Sequence, residues 1–296
     1  MSGALIVEPR GENLVAVRFT AMASPCEVLL PAMEGHAALA IGTIAADEAL
    51  RIERKFSRYR DDSVTAWIHE HRGTSVEVDE ETASLIDFAS QCFELSDGLF
   101  DITSGVLRRA WMFDGSDRIP DPGLVERLLP LVGFDKIRWQ SPRLLLPPEM
   151  ELDFGGIGKE YAVDRAYELL AARDWAPFLV NFGGDLRANR PPPHGPWQVG
   201  IERPNTEREA TLLLDLEHGA LATSGDSRRY LLKDGIRYGH ILDPRTGWPV
   251  RDSPRSVTVA ASSCTEAGLL STLALLHGAQ AARLLEDQGV RYWILQ

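Results

Sequence analysis

The chain of 296 residues is 44% hydrophobic and 25% charged, which supplies enough apolar surface for a substantial core and excludes disorder as its default state. A formal net charge of −12 disfavours electrostatic capture of nucleic acid or of an anionic membrane surface, and no apolar run approaches the ~18 residues a membrane span needs. An anionic substrate must then be held by local devices such as helix N-termini, backbone amides or a metal.

Residues 14–30, LVAVRFTAMASPCEVLL, alternate weakly and break at Ala-Ser-Pro, which predicts two strands joined by an irregular turn that carries Met22. From about Ala37 to Phe56 the apolar residues Ile41, Ile44, Ala45, Leu50 and Ile52 recur at helical spacing. Glu80 to Leu95 repeats the pattern, with Leu85, Ile86, Phe88, Ala89, Cys92 and Phe93 on one broad face. SDGLFDITSGVL reads as a loop leading to a short helix, and DGSDRIPDPG at 114–123 is a Gly- and Pro-rich connector where a lobe excursion is expected. A short helix, a strand at KIRWQ and a second strand at LLLPPEMELDF follow.

From Gly155 a glycine-rich loop runs into a helix, and FLVNFGGDLRA reads as strand and turn. WQVGIERP, TLLLDLEHGALATSG, RYLLKDGIRYGHIL and PRSVTVAASS read as strands, with Asp234-Gly235 as a hairpin turn. Helices near 265–277 and 279–287 precede a last strand, VRYWIL. Strands grouped in hairpins, with helices in separate runs, predict an α+β fold rather than a βαβ repeat.

Glycines at 155, 156 and 158 before Lys159 suit either a phosphate at a helix N-terminus or a plain turn. His240 precedes Asp243-Pro244 and Thr246-Gly247, where the chain must turn; it is either a general base or a strand histidine bonded to backbone. His36, His69, His71, His194 and His218 have polar or Pro-Gly neighbours and no metal-ligand spacing, so they are expected at the surface. Cys26, Cys92 and Cys264 are widely spaced and lack a CxxC pair, which points away from zinc or a disulfide framework. With no leader-like start visible in MSGALIVEPRGENLVAVRF, the expected location is cytoplasmic.

The stretches AMASPCEVLL, IERKFSRYRDDS, SDGLFDITSGVL, LDFGGIGKEYAVD, LVNFGGDLR, LATSGDSRRY and GHILDPRTGWP, in that order, resemble the ApbE-type FAD:protein FMN transferases along nearly the whole chain. The resemblance implies a single domain over 1–296, α+β, with mixed and antiparallel sheets flanked by helices and two lobes around a flavin cleft. It implies FAD as donor substrate, a divalent metal, usually Mg2+, release of AMP, and attachment of FMN to a Thr or Ser hydroxyl of an acceptor flavoprotein. Met22, Tyr59, Leu99, Phe100, Asp101, Asp153, Lys159 and Leu242 would then surround FAD, and His240 would deprotonate the acceptor. The metal would take the Gly156 carbonyl together with Ser271 and Thr272, while Asp243 and Thr246 would stabilise their turn or approach the ligand.

The chain departs from the family's pattern at three positions. Gly268 stands where a metal-binding aspartate is expected, Glu160 replaces a frequent glycine, and His69 stands where many relatives have asparagine. Glu266, two residues from Gly268, does not share its helix face. Two readings follow: an active transferase, or a FAD-binding carrier or regulator that has lost its metal anchor. On the second, Gly268→Asp should raise metal affinity and turnover.

Overall fold

In the computed structural model, which describes residues 4–173, 175–202, 210–226 and 229–296, eight strands form one sheet. They are β1 (Ile6–Arg10), β2 (Leu14–Ala21), β3 (Ser24–Pro31), β4 (Leu179–Phe182), β5 (Asp185–Ala188), β6 (Gly219–Gly225), β7 (Ser256–Ala261) and β8 (Arg291–Leu295). Their order across the sheet is their order in the chain, and each adjoining pair is antiparallel. The mixed sheets expected from the resemblance therefore narrow to antiparallel pairing throughout the described residues.

Side-chain alternation assigns the two faces. Val15, Val17 and Phe19 of β2 and Cys26, Val28 and Leu30 of β3 enter the main core, while Leu14 and Leu29 face the opposite side. The main core is closed by α1 (Gly35–Phe56), α5 (Gly158–Ala171) and α6 (Cys264–Leu276). The other helices are α2 (Val64–Glu70), α3 (Glu80–Leu95), α4 (Pro122–Leu128) and α7 (Ala281–Asp287). Alanines dominate where helix meets sheet, among them Ala38, Ala45 and Ala49 of α1, Ala162 and Ala166 of α5, and Ala267 and Ala274 of α6, so the backbones approach closely. On the far face Leu179, Leu186 and Leu221 pack with Trp197 and Leu216 of a two-stranded ribbon, Trp197–Glu202 with Ala210–Leu216.

A smaller core holds Val106, Leu107, Trp111, Leu128, Val132 and Leu231, with Tyr238, Leu242 and Trp248 packed on it. It joins the 3-10 helix Ile102–Arg109 and α4 to a hairpin, Tyr230–Lys233 with Ile236–Gly239, whose turn is Asp234-Gly235 at φ 52° and 76°. Both positive values match the hairpin signal that Asp-Gly gives in sequence.

The strand expected over LLLPPEMELDF is shorter than its pattern. Only Arg143–Leu145 pairs, in a three-stranded sheet with Ser75–Glu77 and Arg138–Gln140. Pro147-Pro148 remove two amide donors, so the chain beyond is irregular although Leu144, Leu146, Met150 and Leu152 are all buried. Residues 203–204 of WQVGIERP and Ser227-Arg228 of LATSGDSRRY lie outside the described residues. No helix among the described residues is long and apolar enough to cross a membrane, and all three cysteines are free and buried.

Candidate active site

Two loops of distant sequence are laced together first. The Asp101 carboxylate caps the 3-10 helix, with Oδ1 accepting from Thr103 N and Oγ1, both at 2.7 Å, and Oδ2 from Phe134 N at 3.1 Å. Burial pushes its pKa up against these bonds. Asp101 thus builds the loop that carries Leu99 and Phe100, which are themselves almost wholly buried. Asp153 N donates to Ile102 O at 2.7 Å, Asp153 Oδ1 accepts from Gly155 N at 2.9 Å, and Arg58 pairs with Asp153 Oδ2. Phe100 lies against Gly156. Arg58 also donates to Tyr59 OH at 2.9 Å and sits 5.0 Å from its ring, leaving Tyr59 75% exposed as a flat apolar surface beside a cation.

Met22 occupies the β2–β3 turn at φ 51°. Beside that turn, Gly183 N donates to Pro25 O at 2.9 Å, and the aliphatic stem of Lys159 runs past Gly183. The turn, the Gly183-Gly184 loop and the start of α5 therefore gather at one end of the sheet. A separate groove of about 300 Å³ between the 97–101 loop and Pro244-Arg245 borders this region only at Asp101.

Behind Lys159 lies a group of enclosed oxygens. Lys159 Nζ forms an ion pair with Asp185 Oδ2, and Asp185 Oδ1 accepts from Thr223 N at 2.9 Å. Burial opposes the charge on Lys159, yet the carboxylates of Asp185 and Glu160 outweigh it and raise its pKa. Glu160 is half-buried as a residue, but its Oε2 is sealed from solvent with no protein donor, and its carboxyl meets that of Asp185. Burial, then the neighbouring Asp185, hold its carboxyl well above the usual carboxylate range.

The register of α5 on α6 explains why Glu160 stands there. Asp164 receives Cys264 N at 2.9 Å, and Thr265 N and Oγ1 at 2.8 and 2.7 Å, so it clamps α5 to the first turn of α6. One turn back from Asp164 is Glu160 and one turn on from Cys264 is Gly268, so the two meet. A Cβ at 268 would lie 2.5 Å from Glu160 Cγ. Gly268→Asp alone therefore requires the stem of Glu160 to shift before the new side chain fits.

Further along α6, Ser271 Oγ donates to Gly268 O at 3.0 Å and meets Ser224 Oγ at 2.8 Å, which in turn meets Thr272 Oγ1 at 2.9 Å. Each hydroxyl has one proton, so the chain runs from Thr272 to Ser224 to Ser271 to the carbonyl. Thr272 Oγ1 keeps its lone pairs. The described residues contain no cluster of three or more His, Cys, Asp or Glu side chains suited to a metal. What they offer is the carboxyls of Glu160 and Asp185 and the Thr272 hydroxyl, oxygens of the hard kind that suits Mg2+ when substrate phosphates complete the set.

The second side of the site is the ribbon that carries His240. Asp226 accepts from Arg237 Nε at 2.7 Å and Arg255 Nε at 2.8 Å, tying the end of β6 to the hairpin. His240 Nδ1 lies 3.2 Å from Arg229 O, and since a carbonyl only accepts, Nδ1 carries the proton and Nε2 is left with a free lone pair. The expectation of a histidine bonded to backbone holds, and that bond leaves the basic lone pair on Nε2. Burial, then the Arg229 charge, lower its pKa, while Asp226 and Lys159 are also near enough to act on it. Phe113 meets the imidazole edge to face at 6.3 Å.

Below His240, Leu242-Asp243 pairs with Trp248-Pro249. Asp243 is committed to its own turn, accepting from Arg245 N, Nε and Nη2 at 2.9, 3.0 and 2.8 Å, and Thr246 Oγ1 accepts from Trp248 N at 3.2 Å. Gly247, at φ 72°, docks against Val125 while its carbonyl accepts from Trp111 Nε1 at 2.8 Å. Leu242 is packed on the small core beneath.

His69 is a correction. His36, His71, His194 and His218 are exposed, but His69 is half-buried and its Nε2 accepts from Leu152 N at 2.9 Å, with its pKa lowered to about 4 by burial and then by Arg72. It orders the chain just before Asp153. In sequence Asp185, Ser224 and Asp226 read only as parts of turns, and Asp164 and Arg58 carry no separate signal; the fold gives each its partner.

The ApbE family model matches residues 22–294. Among curated relatives, the FAD:protein FMN transferase of Salmonella typhimurium is 32% identical over 254 residues, covering 81% of this chain and 72% of that protein. The FAD:protein FMN transferase of Treponema pallidum is 30% identical over 284 residues, covering 88% and 77%. Among solved structures, the ApbE protein of Thermotoga maritima matches with a TM-score of 0.85 at 34% identity, covering 94% of this chain and 93% of that one. The apo form of the Pseudomonas stutzeri flavinyl transferase ApbE matches with 0.83 at 29% identity, covering 98% and 91%.

Proposed function

This chain belongs to the ApbE family, and from that premise we propose that it is an FAD:protein FMN transferase acting on a Thr or Ser hydroxyl of an acceptor flavoprotein. The acceptor oxygen attacks the FMN phosphorus of FAD, the bond from that phosphorus to the bridging oxygen breaks, and AMP leaves with the electron pair. The observation that carries the reading is His240, whose Nδ1–H is spent on Arg229 O and whose free Nε2 is within electrostatic reach of Lys159.

An alcohol is a weak nucleophile near neutral pH, so His240 Nε2 takes its proton. Because its pKa is lowered, the imidazole is neutral and ready at pH 7. Lys159 keeps its charge beside the diphosphate, and Tyr59 with Arg58 gives the isoalloxazine a surface to stack on. Met22, Leu99, Phe100 and Leu242 shape the apolar margins, while Asp101 and Asp153 hold the loops that carry them. Thr272 and the Gly156 carbonyl would supply oxygens to Mg2+, with Ser271 positioning the hydroxyl chain. Mg2+, when bound, neutralises charge that develops on the diphosphate oxygens.

The reading treats the chain as one catalytic domain in the cytoplasm, where buried free thiols stay reduced. Its test is incubation of the pure protein with FAD, Mg2+ and a flavoprotein domain that bears an acceptor threonine. The expected result is an FMN mass increment on the acceptor and one AMP released per increment. Bound FAD with neither product would overturn transfer in favour of a carrier.

A further inference from the structure

Glu160 and Gly268 occupy one place between them. The side chain that α6 lacks at 268 would begin 2.5 Å from Glu160 Cγ and 3.2 Å from its Oε1, so the carboxyl that α5 delivers stands where a short acidic side chain on α6 would stand. We propose that Glu160 is the carboxylate that holds the divalent cation in this protein, reaching from the first turn of α5 into the space Gly268 leaves open. The proposal deepens the flavin-transfer reading and rests on it.

Three observations carry it. Glu160 Oε2 is sealed from solvent with no protein donor and its carboxyl meets that of Asp185, and two enclosed carboxyls brought together are an arrangement a cation completes. Lys159 offsets part of this charge but pairs directly with Asp185 Oδ2, so Glu160 Oε2 still has no donor. The remaining oxygens are in step: Thr272 lies one turn beyond Gly268 on the same face of α6 and keeps its lone pairs, since its proton goes to Ser224. The exchange moves the negative charge from one helix to its neighbour without moving the site, and the Asp164 clamp on Cys264 and Thr265 keeps the two helices in that register.

The test is titration of Mn2+, followed by loss of the free-ion EPR signal, into the protein saturated with FAD. Mn2+ takes the same hard oxygen ligands as Mg2+. Removing even an outer partner of a metal ligand typically costs about 10- to 100-fold in affinity, so Glu160→Gln should weaken Mn2+ by at least about tenfold while metal-free FAD affinity is unchanged. Gly268→Asp alone should lower the melting temperature through the collision with Glu160. The double variant Glu160→Gly with Gly268→Asp should regain Mn2+ binding, which a general loss of folding could not produce. Wild-type Mn2+ affinity in Glu160→Gln would overturn the proposal. Absence of Mn2+ binding in the wild type would overturn it together with metal assistance. If the wild type binds Mn2+ and FAD but transfers nothing, the transfer reading fails while the titration still decides the role of Glu160.

Discussion

The two sides of the site are built differently. Lys159, Glu160 and Asp185 stand on α5 and β5 beside the main core, with the Asp185 carboxylate and Glu160 Oε2 enclosed and α5 clamped to α6 by Asp164. His240 stands at the end of a two-stranded ribbon whose Leu232 and Ile236 are half exposed or more, and which rests on a core of only a few side chains. The first side is suited to holding a charged ligand in one geometry. The second aims a base through a few contacts, namely Arg229 O, Phe113 and the Asp226 brace, so it can accommodate an acceptor loop. On the proposed reading, binding and proton transfer would fall on elements of unequal enclosure.

That contrast can be broken from the enclosed side with the largest effect. In the metal-free protein, Lys159→Met leaves Asp185 and Glu160 facing each other unopposed; removal of one partner from a buried pair costs about 3–5 kcal/mol, so both melting temperature and FAD affinity should fall. Calorimetry and FAD titration check it. A smaller and more local loss is expected on the ribbon side from Gly247→Ala. Its φ is 72° and its new Cβ would lie 2.5 Å from Val125 Cγ1, a strain of about 1–3 kcal/mol. Transfer should slow, with FAD affinity near that of wild type, because the turn below His240 shifts while the enclosed side does not.

The smallest effect concerns pH and sharpens the boundary of the enclosed side. His69 has a folded pKa of about 4 against an ordinary 6.5, so the folded state resists a proton that the unfolded state accepts. Its contribution to stability is complete above 6.5 and is lost as pH falls toward 4. Arg72, Glu151 and Arg108 surround it and set the rest of the local balance. His69→Gln retains an acceptor for Leu152 N without titrating, and thermal melts from pH 7 to 4 should show a shallower decline for it than for wild type.

Much of this architecture was legible in the sequence because it rests on local periodicity. The helical spacing around Ile41 and Ile52 and the Asp-Gly turn at 234 are decided by neighbours in the chain. LLLPPEMELDF misled because Leu144, Leu146, Met150 and Leu152 alternate as in a strand and are buried, while the prolines prevent pairing. His69 carried no local sign of burial, since its partner, Leu152, is brought beside it only by the fold. Glu160 and Gly268 were visible as two separate departures from a family pattern. That they compensate each other depends on the register of α5 against α6, which no spacing within either helix encodes.

The division of labour between an enclosed binding side and an aimed base is tested most directly by measuring FAD affinity and FMN transfer side by side in His240→Ala. Loss of a general base is expected to slow transfer by about 100- to 10,000-fold while the Kd for FAD stays as in wild type. Transfer at the wild-type rate, or affinity and rate falling together, would contradict it.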